Sequence, residues 1–350
     1  VIVKQTNGTS YNGMEITDFE NDDPDYFLDF GIYMDGGNGQ LKRKIVLNEA
    51  QDTVKVVKYH YERNHFHKEM LNLHVKDYYY GPTDFCEPEQ QFVNPLAYEG
   101  RFNLFTYASP NYINQLIKTE TYDYYSNGTV ASIIEKSYDE FNYQLDTLSI
   151  FTDKGVRMTT YQYPHDEPDY LSHARMLEDN VVNPIILQKE YLDNKLLKTT
   201  ENHYWFYNDY STVAIHDIKS AFENYPLETK IVFNNYSLNG NVLDLQKKDD
   251  VLNAYIWSYA NTLPIAKAEN SGYTDIAYTG FEDINYGGWT YQSGSRSTLY
   301  SRTGRYSCLN AIMQKTVSVN SIISLWVKTG GGTPSISGYT PKVYATTDGW

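Results

Sequence analysis

Lys118-Thr119-Glu120-Thr121-Tyr122-Asp123-Tyr124-Tyr125-Ser126-Asn127-Gly128-Thr129-Val130 reads as a strand, a tight turn and the opening of a second strand. Tyr122 and Tyr124 stand two residues apart, so in extended backbone both rings project from one face. Each ring joins a large apolar body to one polar tip, so such a face packs while its hydroxyls find partners or water. Asn127-Gly128 is the strongest short hairpin signal, because both central positions of a two-residue turn need positive φ. The stretch therefore predicts an antiparallel hairpin whose second strand runs over 130–138.

The same plan recurs. Residues 147–151 lead through Asp153-Lys154-Gly155 to 156–163, and 188–192 lead through Asp193-Asn194-Lys195 to 196–204. Residues 227–236 lead through Asn239-Gly240 to 242–246. Tyr59-His60-Tyr61 and Tyr161-Gln162-Tyr163 repeat the paired rings, among 35 tyrosines in 350 residues. Hairpins of one kind in succession are the mark of a stacked β array. Two longer spacers interrupt it. Residues 164–184 hold Leu171, Ala174, Met176 and Leu177, and 208–226 hold Val213, Ile215, Ile218, Ala221 and Phe222. Both spacings are compatible with short helices, so helix is expected to be scarce and confined mainly to 165–180 and 209–223. Before residue 107 the pattern loosens, though 52–61 and 72–80 still read as strands.

From Ser271 the composition turns to Gly, Ser and Thr, and the Tyr-x-Tyr pairs stop. Phe281-Glu282-Asp283, Trp289, Thr303-Gly304-Arg305-Tyr306-Ser307 and Ile322-Ile323-Ser324-Leu325-Trp326-Val327 suggest short strands of a sandwich. The expected organisation is a β region over 1–270, clearest over 110–270, then an incomplete sandwich over 271–350. The boundary is expected near 268–276. Both ends of the chain read as cuts, so an interior segment of a longer polypeptide is expected.

Tyr122-Asp123 followed by Ser126-Asn127-Gly128-Thr129-Val130 resembles the YD repeat of RHS-type proteins. Thr159-Thr160-Tyr161-Gln162-Tyr163-Pro164 and Val182-Asn183-Pro184-Ile185-Ile186 are similar to its divergent version in Bacteroidota surface proteins. So is Ala254-Tyr255-Ile256-Trp257-Ser258-Tyr259, continuing to Leu263-Pro264-Ile265-Ala266-Lys267-Ala268-Glu269-Asn270. The tail, with Gly280-Phe281-Glu282-Asp283 and Thr303-Gly304-Arg305-Tyr306-Ser307, resembles the start of carbohydrate-binding-like jelly-roll modules. These resemblances imply an all-β chain, a solenoid or spiral shell of antiparallel hairpins with short helical insertions and part of a β-sandwich. They imply secretion, by the type IX route in that phylum, and a non-enzymatic scaffold for adhesion or display at the cell surface. Two other functions stay open: the shell of a polymorphic toxin enclosing an effector outside this segment, and a glycan-binding module. Against the toxin shell, the Asp-Pro-rich self-cleaving motif is absent, Asp23-Pro24 being the single Asp-Pro. The implied partners are the remainder of a longer polypeptide, secretion machinery and surface glycans.

A formal charge of −15 opposes binding to nucleic acid or anionic membranes, since both would repel the chain. No run of 18 apolar residues offers a bilayer span. The two cysteines, Cys86 and Cys308, cannot build a zinc site by themselves; separate thiols are expected rather than a disulfide. No Gly-x-Ser-x-Gly elbow, phosphate loop or His-Glu-x-x-His is present, so no enzyme is expected.

No cofactor is expected; the alternative is calcium at Glu282 and Asp283, for which the jelly-roll resemblance supplies the context. Asp22-Asp23-Pro24-Asp25 and Asp35-Gly36-Gly37-Asn38-Gly39 lack the spacing of an EF-hand loop and read as acidic turns, with a calcium site as the alternative. His65 and His67, flanked by Glu62 and Glu69, read as solvated strand histidines, with a shared metal ion as the alternative. Trp205, Trp257 and Trp289 are either packing rings or flat platforms for sugars. Asp52-Thr53-Val54 and Asp146-Thr147-Leu148 resemble Bacteroidota O-glycosylation sites, which would place Thr53 and Thr147 at the surface.

Overall fold

The structure, a computed structural model, describes residues 2–6, 11–20, 26–27, 32–33, 39–65, 70–77, 102–109, 112–318, 320–331, 335, 337, 342, 344 and 349–350. Among the described residues regular structure is almost wholly strand and helix is scarce, so the fold is all-β as the hairpin pattern requires. By contacts the chain divides into two compact units, Val1–Thr159 with Leu192–Asn194, and Thr160–Tyr191 with Lys195–Trp350.

The first unit holds β1 (Ile2–Thr6), β2 (Tyr11–Phe19), β5 (Leu41–Leu47), β6 (Thr53–His65), β9 (Tyr112–Tyr125), β10 (Gly128–Tyr138) and β11 (Leu145–Thr152), hydrogen-bonded in that order. Two small side ladders pair β3 (Tyr26–Phe27) with β4 (Ile32–Tyr33) and β7 (Met70–Asp77) with β8 (Phe102–Ser109). β12 (Gly155–Gln162) follows β11. The central pair is antiparallel, with Val130 facing Asp123 and Ile134 facing Thr119. Its turn differs from the expected one. Tyr125 pairs with Gly128, so Ser126 and Asn127 make the turn and neither has positive φ; Gly128 alone does, at 145°. Both central residues adopt positive φ instead at Asp193 (47°) and Asn194 (64°), which carry no glycine. Short Asp and Asn side chains tolerate that region, and the Asp193 carboxylate accepts the Val156 N–H at 2.8 Å.

The second unit holds β13 (Leu187–Leu192), β14 (Lys195–Tyr207), β15 (Thr212–Phe222), β16 (Glu228–Tyr236), β17 (Val242–Lys247), β18 (Leu252–Ser258) and β19 (Leu263–Glu269), again in chain order. The first expected helical insertion is there: a 3-10 turn over Pro164–Asp166, then α1 (Leu171–Glu178). Asp166 caps the turn by accepting the Tyr163 N–H at 2.7 Å. α1 buries Met176 against Ile186 and Tyr204, with Leu187, Val213 and Ile215 around them. The second expected helix, over 209–223, is strand β15 instead, paired on both sides by β14 and β16. The cause is a bulge. His203 faces Asp217 and Tyr204 faces Ile215, so His216 is an extra residue. It interrupts the period-two pattern of Val213 and Ile215 and spaces Ile215, Ile218 and Ala221 by threes, which imitates a helix.

Four bulges share one device. On β9 the extra residue is Ile117, and the Tyr138 hydroxyl donates to the carbonyl of Leu116 at 3.0 Å. At the extra His216 on β15, the Tyr236 hydroxyl donates to Ile215 O at 2.7 Å. Asn234 is extra on β16, where the Tyr207 hydroxyl donates to Phe233 O at 2.6 Å. Leu243 is extra on β17, and the Trp257 indole N–H donates to Val242 O at 2.8 Å. Each accepting carbonyl belongs to the residue just before the extra one. A bulge locally breaks the ladder, and a buried carbonyl left without a donor costs about 1–3 kcal/mol. A tyrosine lying along the sheet supplies apolar bulk and that donor together. Burial raises the Tyr138 hydroxyl, raises that of Tyr236, and pushes that of Tyr207 up to about 12 with help from the nearby Asp217 charge. Tyr204 is likewise pushed up to about 12 by burial.

In the tail the described strands are β20 (Thr290–Ser297) and β21 (Ser307–Gln314), antiparallel to each other. Residues 322–327 and 281–283, both expected as strands, lie outside any strand. Ile322 is 97% exposed. Apolar residues alone do not make a strand where the backbone gains no ladder partner.

Candidate functional site

One face of β14 and β15 carries a concentration of titratable and aromatic side chains. The period of two puts Glu201, His203, Trp205 and Tyr207 on one side of β14. On β15 the bulge resets the alternation, so that Asp217 and Lys219 come to the face of their cross-strand partners His203 and Glu201. His203 Nδ1 lies 2.9 Å from Asp217 Oδ2. Lys219 Nζ lies 3.4 Å from Glu201 Oε1 and 3.8 Å from Asp217 Oδ1. His216 Nδ1 is 3.0 Å from the Tyr207 hydroxyl, whose own proton goes to Phe233 O. The His203 and His216 rings meet edge to face at 5.9 Å, and Trp205 tilts against His203 at 6.0 Å.

The burial within this group is uneven. Asp217 is only 6% exposed, and its Oδ1 is buried with no hydrogen-bond donor. Trp205, two residues from His203, is 53% exposed and faces Ala214 across the ladder. An Asp-His pair can orient an imidazole as a base; among the described residues no Ser, Thr or Cys hydroxyl or thiol is hydrogen-bonded to His203. Among the described residues no group of three His, Cys, Asp or Glu is arranged to hold a metal ion.

The residues singled out from sequence lie elsewhere. Glu282 Oε1 accepts the N–H groups of Arg305 (2.9 Å) and Tyr306 (2.8 Å). Asp283 Oδ2 accepts from the Ser258 hydroxyl and the Tyr259 N–H, both at 2.6 Å. The hydroxyl of Ser258, then the amides of Tyr259 and Ile284, hold the Asp283 carboxyl below its ordinary range. The two adjacent carboxylates thus address different loops, one entering β21 and one joining β18 to β19. Thr53 is exposed at the start of β6, and Thr147 is half-buried in β11 with its hydroxyl on Asp146 at 3.1 Å. Trp257 is pinned through its indole N–H, and Trp289 is half-buried. His65 closes β6. Phe66, His67, Glu69, Cys86, Asp22-Asp23-Pro24-Asp25 and residues 35–38 lie outside the described residues. The His203, His216 and Asp217 group gave no sequence signal, since its members meet only through the bulge.

No family profile matches this chain, and no curated protein matches it. Among solved structures it is similar to a chain in the crystal structure of TcdB2-TccC3-Cdc42. The identity is 8% and the TM-score 0.38, over 66% of this chain and 14% of that one. The likeness is a distant one, and this chain spans a small part of the neighbour's length.

Proposed function

We propose that this chain is a non-enzymatic scaffold segment of a larger secreted or cell-surface protein of the RHS/YD-repeat type, serving adhesion or surface display. The observation that carries the proposal is the succession of antiparallel hairpins in which aromatic tips satisfy the carbonyls released at four bulges. That device satisfies the ladder's broken points from within the sheet, as a self-supporting shell or display surface needs. The YD-like motifs of residues 110–270 give the family reading, and the charge of −15 supports a role away from nucleic acid. No catalytic group, cofactor or membrane span enters this function. The partners in this reading are the rest of the parent polypeptide, its secretion machinery and a surface ligand.

The test is surface proteolysis and immunolabelling of the parent protein in its native host, with adhesion measured before and after deletion of residues 110–270. Labelling of intact cells and loss of adhesion are expected. A parent protein confined to the cytoplasm would overturn the proposal. Release of an active effector from the parent by self-cleavage would replace it with the toxin-shell reading.

A further inference from the structure

We infer that the face of β14 and β15 around Trp205 binds a neutral carbohydrate, a role beyond that of a scaffold. The inference begins with hydrogen-bond bookkeeping. Tyr207 has one hydroxyl proton and gives it to Phe233 O at 2.6 Å. His216 must then be the donor in its 3.0 Å contact with the Tyr207 oxygen, which leaves the neutral ring's Nε2 as an acceptor. Asp217 accepts only, so His203 Nδ1 donates to it at 2.9 Å, and in the neutral ring His203 Nε2 is left as an acceptor. Asp217 Oδ1 is a third acceptor, on a side chain that is only 9% exposed, with no donor within hydrogen-bond distance and Lys219 Nζ ion-paired at 3.8 Å. Buried polar groups are seldom left so.

Beside these acceptors stand one charged donor and one platform. Lys219 Nζ, 3.8 Å from Asp217 Oδ1, sits on a side chain 31% exposed. Trp205 leaves its ring open because its cross-strand partner is the small Ala214. A hydroxyl group both donates and accepts, and a sugar ring places several around an apolar face that stacks on indole. Such a ligand meets the platform, the acceptors and the donor at once. An anion would confront Asp217 and Glu201 on a chain of charge −15. A cation would compete with Lys219, already lodged between those two carboxylates. A neutral polyol suffers neither opposition.

The test uses the full chain against a panel of neutral oligosaccharides: β-1,4-linked glucan, mannan, xylan and galactan fragments and α-1,4-glucan fragments. Array binding is followed by calorimetry. At least one member is expected to bind, with W205A weakening it at least about tenfold, the worth of a stacked ring. D217N is expected to weaken it as well. Y225A, at an exposed position in the loop between β15 and β16, is expected to leave it unchanged. Trp205 is exposed, so W205A should keep the wild-type circular dichroism and melting temperature even if D217N does not fold. Failure of every panel member to bind overturns the inference. Binding restricted to sulfated or sialylated glycans added to the array overturns it equally, and so does undiminished binding by a folded W205A.

Discussion

Aromatic residues do different work in the hairpin sheet of residues 112–269 and in the tail from residue 271. In the sheet, Tyr138, Tyr207, Tyr236 and Trp257 turn their polar tips inward onto bulge carbonyls. In the tail Tyr286 and Tyr291 stack at 4.0 Å and three other rings meet cations: the Arg296 guanidinium lies 4.0 Å from the Tyr306 ring, Arg302 lies 3.5 Å from Trp326, and Lys328 lies 5.5 Å from Trp350. Leu299, Tyr300, Ile322 and Trp326 remain exposed there. A ring whose tip satisfies the backbone stabilises a particular register, whereas a ring under a cation adds local attraction that leaves register free. The four sheet tips thus fix a register, which the tail's ring–cation pairs do not.

The widest gap between the regions should appear in side-chain burial. Met176→Ala, in the patch where α1 meets Ile186 and Tyr204, is expected to destabilise the chain by about 2–5 kcal/mol in urea unfolding. Ile312→Ala on β21, 55% exposed, is expected to stay within about 0.5 kcal/mol. Equal losses at both positions would break the comparison. Turn geometry should give the next effect. A side chain at Gly128 would meet open space, so Gly128→Val acts only through its φ of 145° and should cost about 1–3 kcal/mol.

Alkaline titration sharpens the contrast without a mutation. Tyr204 and Tyr207 have folded values of about 12, raised by burial from an unfolded value near 10. Their contribution to stability is therefore complete below pH 10 and is lost as the pH rises through 12. Phenolate absorbance should rise late for these residues, coincident with loss of the sheet's circular dichroism. The smallest effect is expected at Asp283, where the shift runs the other way. Its lowered carboxyl contributes stability above its unfolded value near 3.9, lost as the pH falls through the folded value. Asp283→Asn should flatten that acid limb of a melting-temperature profile; an unchanged profile would show that the link to Ser258 and Tyr259 is idle.

The hairpins were legible because their turns and alternation are local. Residues 188–192 and 196–204 fall inside β13 and β14, and 242–246 inside β17. The turn at Asn127-Gly128 was visible, yet its type was not, because Tyr125 rather than Ser126 closes the pair and the register is set along the whole of β9 and β10. β15 was misread as helical because His216, one inserted residue, changes the apolar spacing. The same insertion hid the candidate site, placing His203 and Asp217 together from positions 14 apart. In the tail, the run from Ile322 to Val327 has strand-like composition but no ladder partner, and pairing is a property of the whole fold rather than of six residues.

The most direct test of the bulge-capping device is a matched set of Tyr→Phe substitutions, which remove one oxygen and keep the ring. Equilibrium unfolding should show Tyr207→Phe and Tyr236→Phe each losing about 1–3 kcal/mol, since a carbonyl beside a bulge is left without its donor. Tyr300→Phe and Tyr306→Phe in the tail should each change stability by under about 0.5 kcal/mol. Equal small changes at all four positions would mean that the hydroxyls on Phe233 and Ile215 do not hold the bulges, and that the sheet's tyrosines act by bulk alone.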